Sequence, residues 1–291
     1  MIGRPISSNS PLKAVTEQYL AADLALPELG SEPDAQALVE WASAAACTAA
    51  AEDVYREKEG RRTVRLRRGE DVYFLKYHGG IGWREVWKNV CRGRPPVSGA
   101  DNEYVALTAL RDAGMAVPEV VAFARVGQSP ARRRSAIVTR ALRDTVSLED
   151  YCATWQAQPP AAAQRIALVR HVAQIARQMH SLGVQHRDFY LCHFHLLLDS
   201  LRDGKPRSYL IDLHRARVRL NMPRRWRIKD LAALYFSAMN CGLTRRDCLR
   251  FMYLYNEGGL RKALGEDARM WRAVSRKARR MRAQEARSVM N

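Results

Sequence analysis

Along the 291 residues the spacing of apolar and polar positions changes character several times. The first 30 or so, rich in Ser, Pro and Ala, sustain no period and read as a loosely attached arm. At Ser31-Glu32-Pro33-Asp34 a cap-like cluster opens an alanine-rich run through Ala51, which predicts a helix. From Val54 the period drops to two: Val64 and Leu66, then Val72, Phe74 and Lys76, alternate with polar neighbours across a turn at Arg68-Gly69-Glu70-Asp71. That pattern predicts antiparallel strands. Helical spacing returns over Ala100 to Asp112, with Glu103, Leu107 and Leu110 on one face and Gly114 placed to cap the end. Further strands are expected at Val117 to Ala124 and Ser135 to Ala141.

The second half is mainly helical. Gln164 to Leu182 carries Ile166, Val169, Ala173, Ala176 and Met179 in amphipathic register and stops at Gly183. Short strands, His193 to Leu198 and Ser208 to Asp212, flank a turn at Asp203-Gly204, and beyond Arg227 the chain is helical again, ending in a basic helix from Glu266 to about Ser288. The pattern predicts an α+β, two-lobed plan: an N-terminal arm and helix over 1–53, a strand-rich lobe over 54–141 and a helical lobe over 142–291. No internal repeat is evident.

Charge sharpens this picture. Lys and Arg number 48 against 30 Asp and Glu, a formal net charge of +18, yet residues 1–52 hold two basic and seven acidic side chains. The excess lies downstream and predicts a salt-sensitive anionic partner. Nucleic acid is disfavoured, because no helix-turn-helix, zinc-finger or RNA-recognition signature accompanies the charge. Six cysteines at 47, 91, 152, 192, 241 and 248 form no CxxC pair and suit reduced thiols. No secretory leader or membrane span is evident, so a cytoplasmic location is expected.

The segment His186-Arg187-Asp188-Phe189-Tyr190-Leu191-Cys192-His193 follows a helix end, and Leu210-Ile211-Asp212-Leu213-His214 places a second aspartate 24 residues after Asp188. Two aspartates beside short strands are what phosphoryl transfer requires: one orients the attacking hydroxyl and accepts its proton, and the other holds Mg²⁺ against the phosphates of ATP. A strand lysine must neutralise the α- and β-phosphates while a helix carboxylate holds that lysine. Lys76 and Glu103 supply the pair, 27 residues apart; Glu85 and Glu119 are the alternative partners for Lys76.

With these motifs the chain resembles the lipopolysaccharide core heptose(I) kinase family, with its protein-kinase-like fold. The likeness runs over roughly residues 54–285, through Tyr55 to Thr63, Gly80-Ile81-Gly82-Trp83, the His186 to Phe194 loop, Ile211 to Ala216 and Arg225 to Ser237. The resemblance implies an ATP-dependent sugar kinase acting on position 4 of heptose I in the lipopolysaccharide inner core. Asp188 would be catalytic, Asp212 would bind metal, and Lys76, Glu103 and Gly60 would serve the nucleotide. Asp230 would brace the catalytic loop, with Arg187 and His186 in supporting places. His193 stands where kinases carry an asparagine for a second Mg²⁺, and imidazole suits magnesium poorly. Only Gly60 stands in for a glycine-rich loop, and just 17 residues separate Asp212 from Asp230, too few for a regulated peptide-binding segment. Another small-molecule or Kdo kinase, and a nucleotide-binding pseudokinase scaffold, are the alternatives.

Three further features bear on partners. Arg84, Lys88, Arg92 and Arg94, interleaved with Trp83 and Trp87, suit the acidic groups of a lipid A–core oligosaccharide. The terminal helix carries Arg269, Arg272, Arg276, Lys277, Arg279, Arg280, Arg282 and Arg287, which fits peripheral adhesion to the anionic inner face of the inner membrane. The resemblance also raises an acidic protein partner, with acyl carrier protein the candidate.

Overall fold

Period-two patterning in the first half builds one antiparallel sheet. The computed structural model describes residues 17–21, 26, 29, 33–58, 60–80, 99–129 and 131–290. The chain divides into two units, Met1–Ala109 with Pro118–Leu142, and Leu110–Val117 with Arg143–Asn291.

In the first unit the strands are β1 (Gln18–Leu20), β2 (Val54–Lys58), β3 (Arg61–Arg68), β4 (Asp71–His78), β5 (Val120–Val126) and β6 (Arg134–Arg140), ordered β1-β5-β6-β4-β3-β2. The edge strand β1, paired Tyr19 to Phe123, arises from the expected arm; three residues are too few to declare a period. β5 starts at Val120, later than expected, because Pro118 has no N–H for a ladder.

Helix α1 (Ala35–Thr48) begins at Asp34, whose carboxylate accepts the Ala37 N–H at 2.7 Å. Leu38, Ala42 and Ala46 fall on one face by fours and, with Val39, are buried against Val64, Tyr73, Leu75, Val121 and Val138 of the sheet. Alanines at 42 and 46 let backbone approach backbone. Strand alternation then decides the fate of β4: Tyr73 and Leu75 enter the α1 core, and Lys76 faces the opposite side. On that side lies α2 (Asp101–Asp112), where Tyr104 stacks on Phe123 with ring centroids 4.1 Å apart.

The second unit is built on helices α3 (Leu148–Cys152), α4 (Ala162–Ser181), α5 (Asp199–Arg202), α6 (Arg224–Ala238), α7 (Arg245–Tyr255), α8 (Gly259–Leu264) and α9 (Ala268–Met290). Two small sheets sit among them. β7 (Thr145–Ser147), β9 (Phe194–Leu197) and β10 (Ser208–Leu210) form one, in the order β10-β9-β7. β8 (Val184–Gln185) and β11 (Arg217–Val218) form the other. Helix α6 is central: Trp226, Asp230, Leu231, Ala232, Ala233 and Leu234 are all buried, so it has no solvent stripe for most of its length. It packs along α9, which presents Met270, Val274 and Ala278 inward at intervals of four.

Helix α4 ends at Gly183, whose φ is +75°. A Cβ there would stand 1.7 Å from the Arg219 carbonyl oxygen, and the Gly183 carbonyl accepts the Arg219 N–H at 3.1 Å, so two backbone segments meet with no room for a side chain. Gly114, at the end of α2, has φ +76° but open space around it. Gly183→Ala should therefore destabilise the protein by about 3 kcal/mol or more, and Gly114→Ala by about 1 kcal/mol. Thermal unfolding of the two variants beside wild type measures the difference.

Candidate active site

In the first unit, the Lys76 Nζ lies 2.6 Å from Glu103 Oε1, with the glutamate side chain only 4% exposed. The alternation of β4 and the first turn of α2 bring the pair together. Glu119 instead accepts from Arg140 Nε at 2.8 Å, and Glu85 lies outside the described residues, as do Arg84, Lys88, Arg92 and Arg94. The second carboxylate oxygen of Glu103 is buried and has no hydrogen-bond partner among the described residues. Gly60 forms the turn between β2 and β3 at φ +73°, and its carbonyl accepts the Gly79 N–H at 2.8 Å.

In the second unit, the loop after β8 is held by helix α6. The buried Asp230 accepts the His186 N–H on Oδ2 at 2.8 Å and the Arg187 N–H on Oδ1 at 3.0 Å. Two turns on, Ser237 Oγ accepts the Leu191 N–H at 3.0 Å. One face of one helix thus clamps both ends of the segment that carries Asp188. Arg187 adopts φ +75° and Asp212 φ +61°, left-handed backbone at non-glycine residues that costs on the order of 1–3 kcal/mol each and persists only where the surroundings impose it.

Pairing of β9 with β10 sets Phe194 opposite Leu210, and the Ile211 N–H then donates to the His193 carbonyl at 3.0 Å. His193 and Asp212 are neighbours for that reason. The His193 Nδ1 donates to the Asp188 backbone carbonyl at 2.6 Å, and its Nε2 lies 3.5 Å from Asp212 Oδ2. His214 Nδ1 donates to Asp212 Oδ1 at 2.6 Å. His186 is fully buried, donates Nε2–H to the Ile211 carbonyl at 3.0 Å and lies parallel to the His193 ring at 5.5 Å. Burial lowers its pKa to about 4, so the ring stays neutral. Cys192 is raised to about 11, chiefly by burial and then by Glu149, so its thiol keeps its proton.

Two side chains given no role by motif join the site. Ser237 is one, and its signal is a spacing of seven from Asp230 on a helix. Arg215 is the other: its Nη1 donates to Asp188 Oδ1 at 2.7 Å. The β8–β11 register, Gln185 opposite Arg217, carries residues 186–188 back past 214–216 and brings this pair into contact.

Magnesium is commonly held by one or two carboxylates, with phosphates and water completing its oxygen shell. Asp212, its side chain 31% exposed and turned by His214, fits that demand. The imidazole of His193 does not supply the oxygen a second ion prefers.

The lipopolysaccharide kinase (Kdo/WaaP) family model matches residues 45–255. The chain is 44% identical over 231 residues to the lipopolysaccharide core heptose(I) kinase WaaP of Escherichia coli, covering 79% of this chain and 87% of that protein. To the Pseudomonas aeruginosa protein of the same name it is 46% identical, over 78% of this chain and 85% of that one. A solved structure of WaaP in complex with acyl carrier protein matches with a TM-score of 0.76 at 39% identity, covering 91% of this chain and 99% of that one. With its two-unit plan and this extent of match, the chain belongs to the lipopolysaccharide kinase (Kdo/WaaP) family.

Proposed function

We propose that this protein transfers the γ-phosphoryl group of ATP to a hydroxyl of heptose I, at position 4, in the lipopolysaccharide inner core. One observation carries the reading: Asp188 and Asp212, both partly exposed, are each held by a neighbouring side chain, Arg215 and His214, in a chain 44% identical to a heptose(I) kinase. Asp188 orients the sugar hydroxyl and accepts its proton late in the transfer. Lys76, held by Glu103, neutralises the α- and β-phosphates. Asp212 would hold Mg²⁺, which when bound neutralises charge on the β- and γ-phosphates. Asp230 and Ser237 fix the loop so that its geometry is set before substrate arrives, and positioning with charge stabilisation supplies most of the rate.

The partner is acyl carrier protein, on two supports besides the relative's structure. The helical unit contains an apolar pocket of about 280 Å³ lined by Leu168, Val172, Leu234, Phe251 and Trp271. Engineered apolar cavities of about 150 Å³ stay dry and take hydrocarbon, so a pocket of this size suits an acyl chain. The acidic carrier surface finds its complement on α9, where all eight basic side chains from Arg269 to Arg287 are exposed. The same face suits an anionic bilayer, at about 1 kcal/mol per basic residue near the surface. Among the described residues no helix is long and apolar enough to cross a membrane.

Transfer of labelled phosphate from ATP to core lipopolysaccharide lacking that phosphate tests the reaction. Asp188→Ala should lower kcat by about 10²–10⁴-fold while ATP still binds, and Glu103→Ala should raise the KM for ATP; loss of ATP binding by Asp188→Ala would refute its role. Ala238→Phe, which fills the pocket from α6, should abolish co-purification of acyl carrier protein detected by mass spectrometry.

The catalytic loop also carries a pH signature. Native His186 takes a proton only near pH 4, and an unfolded histidine does so near 6.5. Between these values the unfolded chain binds more protons, so stability falls as pH drops from 6.5 to 4, by up to about 3 kcal/mol from this residue. His186→Gln, which keeps a donor for Ile211, should flatten the melting temperature profile across that window.

A further inference from the structure

The segment after Asp212 is unusually rich in arginine, and its geometry concentrates that charge. Arg215 closes the tight helical turn Leu213–Arg215, Ala216 after it is buried, and Arg217 and Arg219 alternate along the extended stretch through β11, so those two share one face. The Arg217 and Arg219 guanidinium carbons lie 5.6 and 4.5 Å from the ring centroid of the buried Trp226, a stack that orders both. Antiparallel pairing of β8 with β11 brings Arg187 back beside this row.

Counter-charge does not match it. Arg215 meets Asp188, but among the described residues Arg187, Arg217 and Arg219 are paired with no carboxylate. Burial, then Arg215 and Arg217, lowers the pKa of Arg187 and outweighs the opposing pull of nearby Asp188 and Asp230; burial, then Arg219 and Arg215, lowers that of Arg217. Like charges held together at such a cost, with planar forks suited to bidentate contacts, make a receptor for an oxyanion.

We infer that Arg187, Arg215 and Arg217, with Arg219 at the exposed rim, bind an oxyanion of the acceptor glycolipid, a sugar carboxylate or a phosphate, beside the hydroxyl to be phosphorylated. The inference rests on the proposed reaction. The row starts at the carboxylate that would receive the acceptor hydroxyl and runs outward to the exposed Arg219, so it tracks a molecule seated at Asp188 and extending into solvent. The nucleotide has its own cation in Lys76 and its own metal carboxylate in Asp212. The subsite therefore selects an acidic sugar chain over a neutral one.

Steady-state transfer from ATP is measured with intact core glycolipid and with two altered forms, one with its sugar carboxyls reduced to alcohols and one stripped of phosphate monoesters. Arg217→Gln should raise the KM for intact acceptor about tenfold or more and leave the KM for ATP unchanged. Wild type should suffer the same loss on one altered acceptor, where Arg217→Gln loses nothing further, and that acceptor identifies the oxyanion. Arg219→Gln, at an exposed position, should show a smaller shift of the same kind and carries the test if Arg217→Gln does not fold. A raised KM for ATP instead, or equal use of all three acceptors by wild type, overturns the subsite. Wild type that turns over no intact glycolipid refutes the proposed reaction itself, an outcome distinct from failure of the subsite alone.

Discussion

Much of the second unit depends on one buried carboxylate. Asp230 is fully withdrawn from water, and a carboxylate in that position is tolerable only if its oxygens are fully used. They accept two consecutive backbone N–H groups, from His186 and Arg187, with His180 Nε2 a further 3.4 Å from Oδ2. Two adjacent amides can aim at one carboxylate only if the chain between them turns sharply, and the left-handed Arg187 provides that turn. Asp188 follows directly, so its direction is inherited from a residue 42 positions later in the chain. His180 in turn meets the Tyr255 hydroxyl at 2.8 Å, tying α4 and α7 into the same network.

The first unit reaches the same end by packing. Leu75 and Lys76 are successive residues on β4, and the pleat forces them to opposite faces. Leu75 is held in the core by α1, which fixes the strand's rotation and so commits Lys76 to the side where Glu103 waits. A hydrophobic contact on one face therefore aims a cation on the other. Sheet alternation here and helix spacing between Asp230 and Ser237 act alike, since each turns a buried interaction into the direction of an exposed polar group.

What was legible in the sequence follows from how local each signal is. The strands around Gly69, the long helix ending at Gly183 and the two-lobed α+β plan are written in periods of two and 3.6 over many residues, and the structure has them. Lys76, Glu103, Asp188 and Asp212 stood out because a phosphotransferase needs them in that order. Arg215 did not, because its meeting with Asp188 depends on the register of β8 and β11, two residues each, too short to leave any period. Strand β1 escaped for the same reason. The apolar pocket was also silent, since its walls come from helices far apart in the chain and each wall residue reads as ordinary core.

Net charge misleads when taken whole. A value of +18 suggests a diffuse attraction for any polyanion, yet the structure sorts the cations into different physical situations. On α9 the eight basic residues stand exposed opposite a stripe of Met270, Val274 and Ala278, where salt screens them and no single one matters greatly. Around Asp188, Arg187 and Arg217 are partly withdrawn from water and crowded by like charge, and Arg217 and Arg219 stack on an indole, so these cations are individually placed. The first arrangement suits a broad acidic surface, and the second suits a defined group of a small number of atoms. Under the proposed reaction both kinds would act on an acidic glycolipid, the first as a broad attraction and the second as a defined contact beside one carboxylate, so attraction could be strong without making binding indiscriminate.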